Sequence, residues 1–311
     1  MELSAVEIRK AVRVALAEDI GGGDVTTLAT VPKNVAAQAV MRAREPLVVA
    51  GIQFAEIAFR EIAAQYFRRD EFHESQTSGI VKLGTRVTRP SDAEIKIEKL
   101  ARDGARVKAG DKLLEISGPA RAILSAERVA LNFIQRLSGI ATLTAQFIDA
   151  VEGTSAQILD TRKTTPGWRR FEKYAVACGG GNNHRIGLFD MILIKDNHLA
   201  ALKSEKPNAI AAAVQQARKK YPKLKIEVEA DTLEQVAQAA DAGADIILLD
   251  NMTTAQLRQA VKIVDGRAQT EASGGVNLKT VRAIAETGVD FISVGALTHS
   301  ARAVDIGLDF E

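Results

Sequence analysis

Cations able to grip a small polyanion crowd one stretch of this chain, Asp160-Thr161-Arg162-Lys163-Thr164-Thr165-Pro166-Gly167-Trp168-Arg169-Arg170, with Asn183-His184-Arg185 shortly after it. Arginine forks match carboxylates bidentately and lysine is a compact charge for phosphate oxygens, so the stretch suits a polyanionic ligand. Lys195, with Asp196 beside it, ends the next apolar run. Glu229 and Asp250 end later runs and could hold Mg²⁺ shared with phosphate oxygens, since this ion keeps waters and uses one or two protein carboxylates. Glu227, two residues earlier on the same strand face, is a second candidate. Ala272-Ser273-Gly274-Gly275-Val276 and Gly295-Ala296-Leu297-Thr298 read as phosphate cradles, because glycines let backbone N–H groups approach an anion. His184 suits a general base or a donor to a carboxylate, and equally a structural histidine. The chain shows no His/Cys cluster, Ser nucleophile elbow or GxGxxG after a first strand, so zinc, acyl-enzyme and Rossmann-type dinucleotide chemistry have no support.

These residues need elements to bring them together. Short apolar runs at 156–160, 191–196, 225–230, 246–251, 269–275 and 291–295 alternate with helical patterns at 208–221, 233–242, 254–264 and 278–287. Apolar strands alternating with amphipathic helices predict βα units around a parallel sheet. Glu229, Asp250, Ser273 and Gly295 recur at near-equal intervals, which suits a closed or nearly closed β/α barrel, with a doubly wound open sheet as the alternative. In a barrel the strand carboxyl ends form one bowl, and that rule selects Asp160, Lys195, Asp196, Glu229, Asp250, Ser273 and Gly295. Any single Asp among them could equally be a helix cap or an ion-pair partner. Their recurrence at six strand ends favours a site.

Before residue 120 the texture is mixed. Strand-like pieces at 39–44, 47–50 and 95–100 accompany helical patterns at 5–18 and 54–66, which predicts a separate α+β domain. A long helical pattern at 123–151, with an interruption expected near Gly139, leads into the barrel. The expected division is therefore 1–120 and 121–300, with the C-terminal tail free to pack on the first domain.

Lys+Arg 41 against Asp+Glu 39 leaves a formal charge of +2, too balanced for a bulk nucleic-acid footprint. A single cysteine, Cys178, excludes an internal disulfide framework and fits a reducing compartment. Charged residues interrupt the apolar residues of positions 1–13, unlike a signal peptide, and no apolar run approaches the ~20 residues that span a bilayer. A cytoplasmic protein without membrane partners is the expectation.

Several runs together resemble a known family, the nicotinate-nucleotide pyrophosphorylases or quinolinate phosphoribosyltransferases. They are Asp160-Thr161-Arg162-Lys163-Thr164-Thr165-Pro166-Gly167, Cys178-Gly179-Gly180-Gly181-Asn182-Asn183-His184-Arg185 and Ile194-Lys195-Asp196-Asn197-His198. Glu127-Arg128-Val129-Ala130-Leu131-Asn132, Glu227-Val228-Glu229 and Leu249-Asp250-Asn251-Met252 also match, as does 18–27 near the start. The resemblance implies an N-terminal α/β sandwich and an incomplete α/β barrel, working as a homodimer or a higher assembly. It implies a reaction of quinolinate with 5-phosphoribosyl 1-diphosphate and Mg²⁺, giving nicotinate mononucleotide, diphosphate and CO₂ for NAD biosynthesis. By similarity Arg162, His184, Arg185 and Lys195 would hold the quinolinate carboxylates, joined by Arg128 from the partner subunit. Lys163, Glu229, Asp250 and the loops at Ser273 and Gly295 would hold the phosphoribosyl donor and its metal. Thr161, Gly274, Gly275 and Ala296 fall in the same matching loops. Trp168 stands where the family resemblance leads one to expect a smaller aliphatic residue. A related barrel transferase for another aromatic acid and a catalytically silent polyanion-binding protein are the rival readings.

Overall fold

The computed structural model describes residues 1–77, 95–202 and 204–311. Contacts divide the chain into one unit of 2–142 with 302–311 and another of 143–301. The division falls inside a helix, later than the 120/121 position expected from sequence.

The first unit contains α1 (Ala5–Ile20), α2 (Val25–Thr30), β1 (Ala36–Ala43), β2 (Leu47–Val48), α3 (Ile52–Thr77), β3 (Lys96–Lys99), β4 (Arg106–Val107), β5 (Lys112–Pro119), most of α4 (Ala120–Ala150) and the last strand, β12 (Ile306–Phe310). Helix α1 begins in a capping box: the Glu7 N–H donates to Ser4 Oγ at 3.2 Å, and the Ser4 N–H donates to the Glu7 carboxylate at 3.0 Å. Its stripe of Ile8, Val12 and Leu16 is buried and it packs on α3. Phe54 of α3 stacks on Phe133 of α4 with ring centroids 4.9 Å apart. Strands run in the order β12-β1-β5-β3, all antiparallel. The tail therefore does join the first unit, with Ala39 opposite Phe310 and Ala43 opposite Ile306.

Helix α4 passes through Gly139 without the interruption expected there. A Cβ at Gly139 would collide with the Arg302 carbonyl, so this glycine admits the returning chain rather than breaking the helix. Arg302 is held beside it by a forked ion pair with Glu45, and the Gln135 amide donates to the Ile306 carbonyl at 2.7 Å.

The second unit holds β6 (Gln157–Leu159), α5 (Arg169–Cys178), β7 (Ile192–Ile194), α6 (Asp196–Ala200), α7 (Ala209–Lys220), β8 (Ile226–Ala230), α8 (Leu233–Asp241), β9 (Ile246–Asp250), α9 (Thr254–Val264), β10 (Gln269–Ser273), α10 (Val281–Ala285), β11 (Phe291–Ser293) and α11 (Ala296–His299). The sheet is wholly parallel, in the order β6-β11-β10-β9-β8-β7. Strands follow chain order around the sheet, which is the cyclic order of a barrel and not the reversal of a doubly wound sheet. The edges are β6 and β7, neighbours in sequence with no pairing between them, so the barrel is incomplete. Residues 246–249 of β9 are all buried, as a strand covered on both faces requires. Thr232 with Gln235 and Thr253 with Gln256 form capping boxes that start α8 and α9 directly after their strands.

Candidate active site

Helix α5 organises the basic loop after β6. Its Lys173, fully buried, forms an ion pair with the equally buried Asp160 and donates to the His184 carbonyl at 2.9 Å. Asp160 also accepts from the His184 N–H at 2.9 Å and from the Asn183 amide at 2.7 Å. Glu172 accepts from the N–H and hydroxyl of Thr165 at 3.0 and 2.9 Å, and Arg169 bridges the Thr164 hydroxyl and the Ile186 carbonyl at 3.0 Å each. Three side chains of one helix thus pin both loops that carry Arg162 and Arg185. Trp168 stands immediately before α5 and meets Phe171 edge-on, with centroids 6.1 Å apart.

Asp160 is accordingly no ligand group: it ends a strand, as expected, but all of its carboxylate serves as a buried anchor. Lys173 escaped sequence reading, although a lysine in line with Phe171, Ala175 and Val176 on the buried side of a helix was the available signal.

Arg162 and Arg185 do come together. The Nε atom of each is buried with no hydrogen-bond partner, and Arg185 spends one terminal nitrogen on the Met191 carbonyl at 3.0 Å. Burial, followed by the nearby Arg162 charge, pulls the Arg185 guanidinium below its usual pKa. Two like charges held in this way leave a site short of anions.

Lys195, at the end of β7, forms an ion pair with Glu229 at the end of β8. Asp250, at the end of β9, accepts from the Asn251 amide at 2.6 Å, and the Asn251 N–H donates to the Ser273 carbonyl at 2.9 Å. Asn251 has φ 53°, and Gly274 has φ 94° with no room for a Cβ because Asn251 lies there. Lys163 and Gly295 are also brought together: a Cβ on Gly295 would stand 3.1 Å from Lys163 Cδ, and the Thr298 hydroxyl donates to the Lys163 carbonyl at 2.7 Å. Thr161 receives the Lys163 N–H at 3.1 Å. Gly275 and Ala296 sit in the same two loops as expected. Arg128 is exposed on α4, in the other unit.

His184 faces carboxylates, one of the roles its sequence left open, and they belong to the protein itself. Its Nδ1 accepts from the Arg185 N–H at 2.8 Å, while its Nε2 stands 3.0 Å from Glu227 and 3.6 Å from Glu271. Both ring nitrogens face protein atoms. Glu227, proposed from sequence as a metal ligand, is fully buried against this ring rather than open to the bowl. Glu271 was missed; an acid inside a strand otherwise expected to be apolar was its signal. Burial, then the Glu227 charge, pushes the Glu271 carboxyl up to about 8, against the pull of His184 and Lys195.

The folded state therefore keeps a proton on Glu271 that the unfolded chain releases, so this residue makes stability fall as pH rises from about 4.5 to about 8. Glu271→Gln should flatten that decline and raise Tm at pH 8 relative to the parent. Thermal denaturation at pH 5 and pH 8 checks it; parallel pH slopes in both proteins would refute it.

Fold and site together define a two-unit α/β enzyme whose open parallel barrel offers a cationic bowl for polyanionic substrates, with acids at neighbouring strand ends. Residues 140–309 match the family model for the quinolinate phosphoribosyl transferase C-terminal domain, and 71–138 match that for its N-terminal domain. The chain belongs to the quinolinate phosphoribosyl transferase family. A nicotinate-nucleotide pyrophosphorylase [carboxylating] of Mycobacterium leprae is 44% identical, covering 97% of this chain and 96% of that protein. A chloroplastic one from Arabidopsis thaliana is 40% identical, covering 98% and 83%. The solved nicotinate-nucleotide pyrophosphorylase of Francisella tularensis superposes with a TM-score of 0.84 at 37% identity, covering 100% and 98%. Among the described residues no helix is long and apolar enough to cross a membrane.

Proposed function

We propose that this protein transfers the 5-phosphoribosyl group to quinolinate with loss of CO₂, forming nicotinate mononucleotide and diphosphate for NAD biosynthesis. The observation that carries this reading is the pair Arg162 and Arg185, whose buried Nε atoms have no hydrogen-bond partner. A dicarboxylate supplies the missing acceptors and offsets the repulsion between the guanidiniums. Lys195 adds a third cation at the next strand end.

The ring nitrogen of quinolinate attacks the anomeric carbon, forming the C–N bond as the C–O bond to diphosphate breaks. Positive charge grows on the ribose during this step, and the carboxylates of Glu229 and Asp250 stabilise it electrostatically. Lys163, Ser273 to Gly275 and the Gly295-Ala296 turn bind phosphate oxygens of the donor. The N-ribosylated ring is a pyridinium, so the bond to the carboxylate next to nitrogen breaks with its electron pair left on the ring carbon, where that charge stabilises it; CO₂ departs and the carbon takes a proton. No protein nucleophile is needed.

Glu229 and Asp250 fit Mg²⁺: both are hard oxygen donors at the ends of the paired strands β8 and β9, Asp250 has only Oδ2 engaged by Asn251, and the ion pair with Lys195 engages only Oε2 of Glu229. The ion, when bound, neutralises charge on the departing diphosphate. Asp250→Asn should lower turnover and move the Mg²⁺ requirement to higher concentration; superimposed magnesium titrations of variant and parent would make this acid structural.

The reading is tested by following nicotinate mononucleotide and CO₂ from quinolinate, with nicotinate as the competing substrate. Product from the dicarboxylate supports it, and product from the monocarboxylate alone overturns it. We place the reaction in the cytoplasm, in a homodimer whose site borrows Arg128 from the partner. Arg128 is exposed on a helix whose neighbours Val129, Ala130 and Leu131 are buried, which leaves it free to reach outward. Inactive Arg128→Ala and Lys195→Ala chains should then regain activity when mixed, with about one quarter of sites free of either lesion. Background activity after verified subunit exchange would put Arg128 outside the shared site.

A further inference from the structure

Beside the arginine pair lies a cluster that the reaction above does not use. Glu227 of β8 and Glu271 of β10 are fully buried, and Glu271 also lies beside the Ser293 hydroxyl. What they face is His184 Nε2, at 3.0 and 3.6 Å. The opposite ring nitrogen accepts the Arg185 N–H at 2.8 Å, so the ring proton belongs on Nε2, the atom turned to the acids. Without the acids, nothing would hold the imidazole in the tautomer and orientation that present a bare Nδ1 to Arg185.

We propose that Glu227 and Glu271 are positioning residues for the quinolinate site: they secure the Nε2 side of His184, so that Nδ1 fixes the Arg185 backbone and thereby aims its guanidinium. The proposal rests on the function assigned above. A divalent cation among the three side chains is disfavoured, although their ligand atoms lie within 4.8 Å of one another, because Lys173, Arg185 and Lys195 already surround the cluster with positive charge.

Nitrogen NMR of the histidine-labelled full chain tests the first link without any substitution. A His184 ring carrying a proton on Nε2 and none on Nδ1 is expected, and protonation on Nδ1 overturns the proposal. Steady-state kinetics test the second. Glu227→Leu should raise the KM for quinolinate about tenfold or more, as loss of a group behind the ligands commonly does. The KM for the phosphoribosyl donor should stay within about twofold. Glu227→Gln, whose amide oxygen can still accept from Nε2, should recover most of the loss. Equal behaviour of the Leu and Gln variants, or parallel loss in both substrates, overturns the proposal. Should Glu227→Leu not fold, the ring tautomer of the parent still decides. If the parent turns over no quinolinate, the functional reading fails, yet the tautomer and the Arg185 amide shift still report on the cluster separately.

Discussion

Lys173→Met should destabilise the protein by about 3 to 5 kcal/mol, because it leaves the buried Asp160 carboxylate without its counter-charge. The partners that remain to Asp160, the Asn183 amide and the His184 N–H, are neutral and cannot replace an ammonium. Native stabilities run only to about 5 to 15 kcal/mol, so a substitution of this size consumes a large share. Urea denaturation monitored by circular dichroism measures it, and a loss under about 1 kcal/mol would show that the pair is dispensable. The same substitution frees the His184 carbonyl, so folded variant should also bind quinolinate more weakly. Stability and site geometry are joined here through one lysine.

Arg185→Ala and Arg162→Ala should each weaken quinolinate binding by about 2 to 5 kcal/mol, which is roughly thirtyfold to several thousandfold. The fold should persist, since their Nε atoms have no internal partners and Arg185 contributes a single bond to Met191. Removing one arginine also relieves the repulsion between them, so Tm should stay level or rise slightly. Arg162→Lys keeps the charge but loses the fork, and it should fall between parent and Ala. Titration calorimetry at fixed ionic strength checks the series. Unchanged affinity in a folded Ala variant would remove that arginine from the site.

The site proved more legible than its support. Arg162, Lys163 and Arg185 stood out in sequence as a dense group of cations, and Lys195, Asp250 and Gly295 as charged or glycine residues ending apolar runs, which have few structural reasons to recur there. Their mutual arrangement agrees with that logic: Lys195 meets Glu229, and Gly295 meets Lys163. What lay behind them was not legible. Lys173, Glu172 and Glu271 sit inside amphipathic or apolar segments, where pattern reading scores them as interruptions. Their partners are brought near by folding and not by spacing.

Sequence alone determined the alternation of strands and helices, the balanced charge, the basic loop and the two glycine-bearing loops after the last strands. Those follow from local periodicity and composition, which act over a few residues. Only the tertiary structure decided that β6 and β7 stay unpaired, that Gly139 admits the returning chain, and that Asp160 is an anchor instead of a ligand. It also decided that His184 turns its ring to Glu227 and Glu271. Each of these depends on burial and on contact between residues far apart in the chain, and burial sets whether a charge serves a ligand or must be neutralised within the protein.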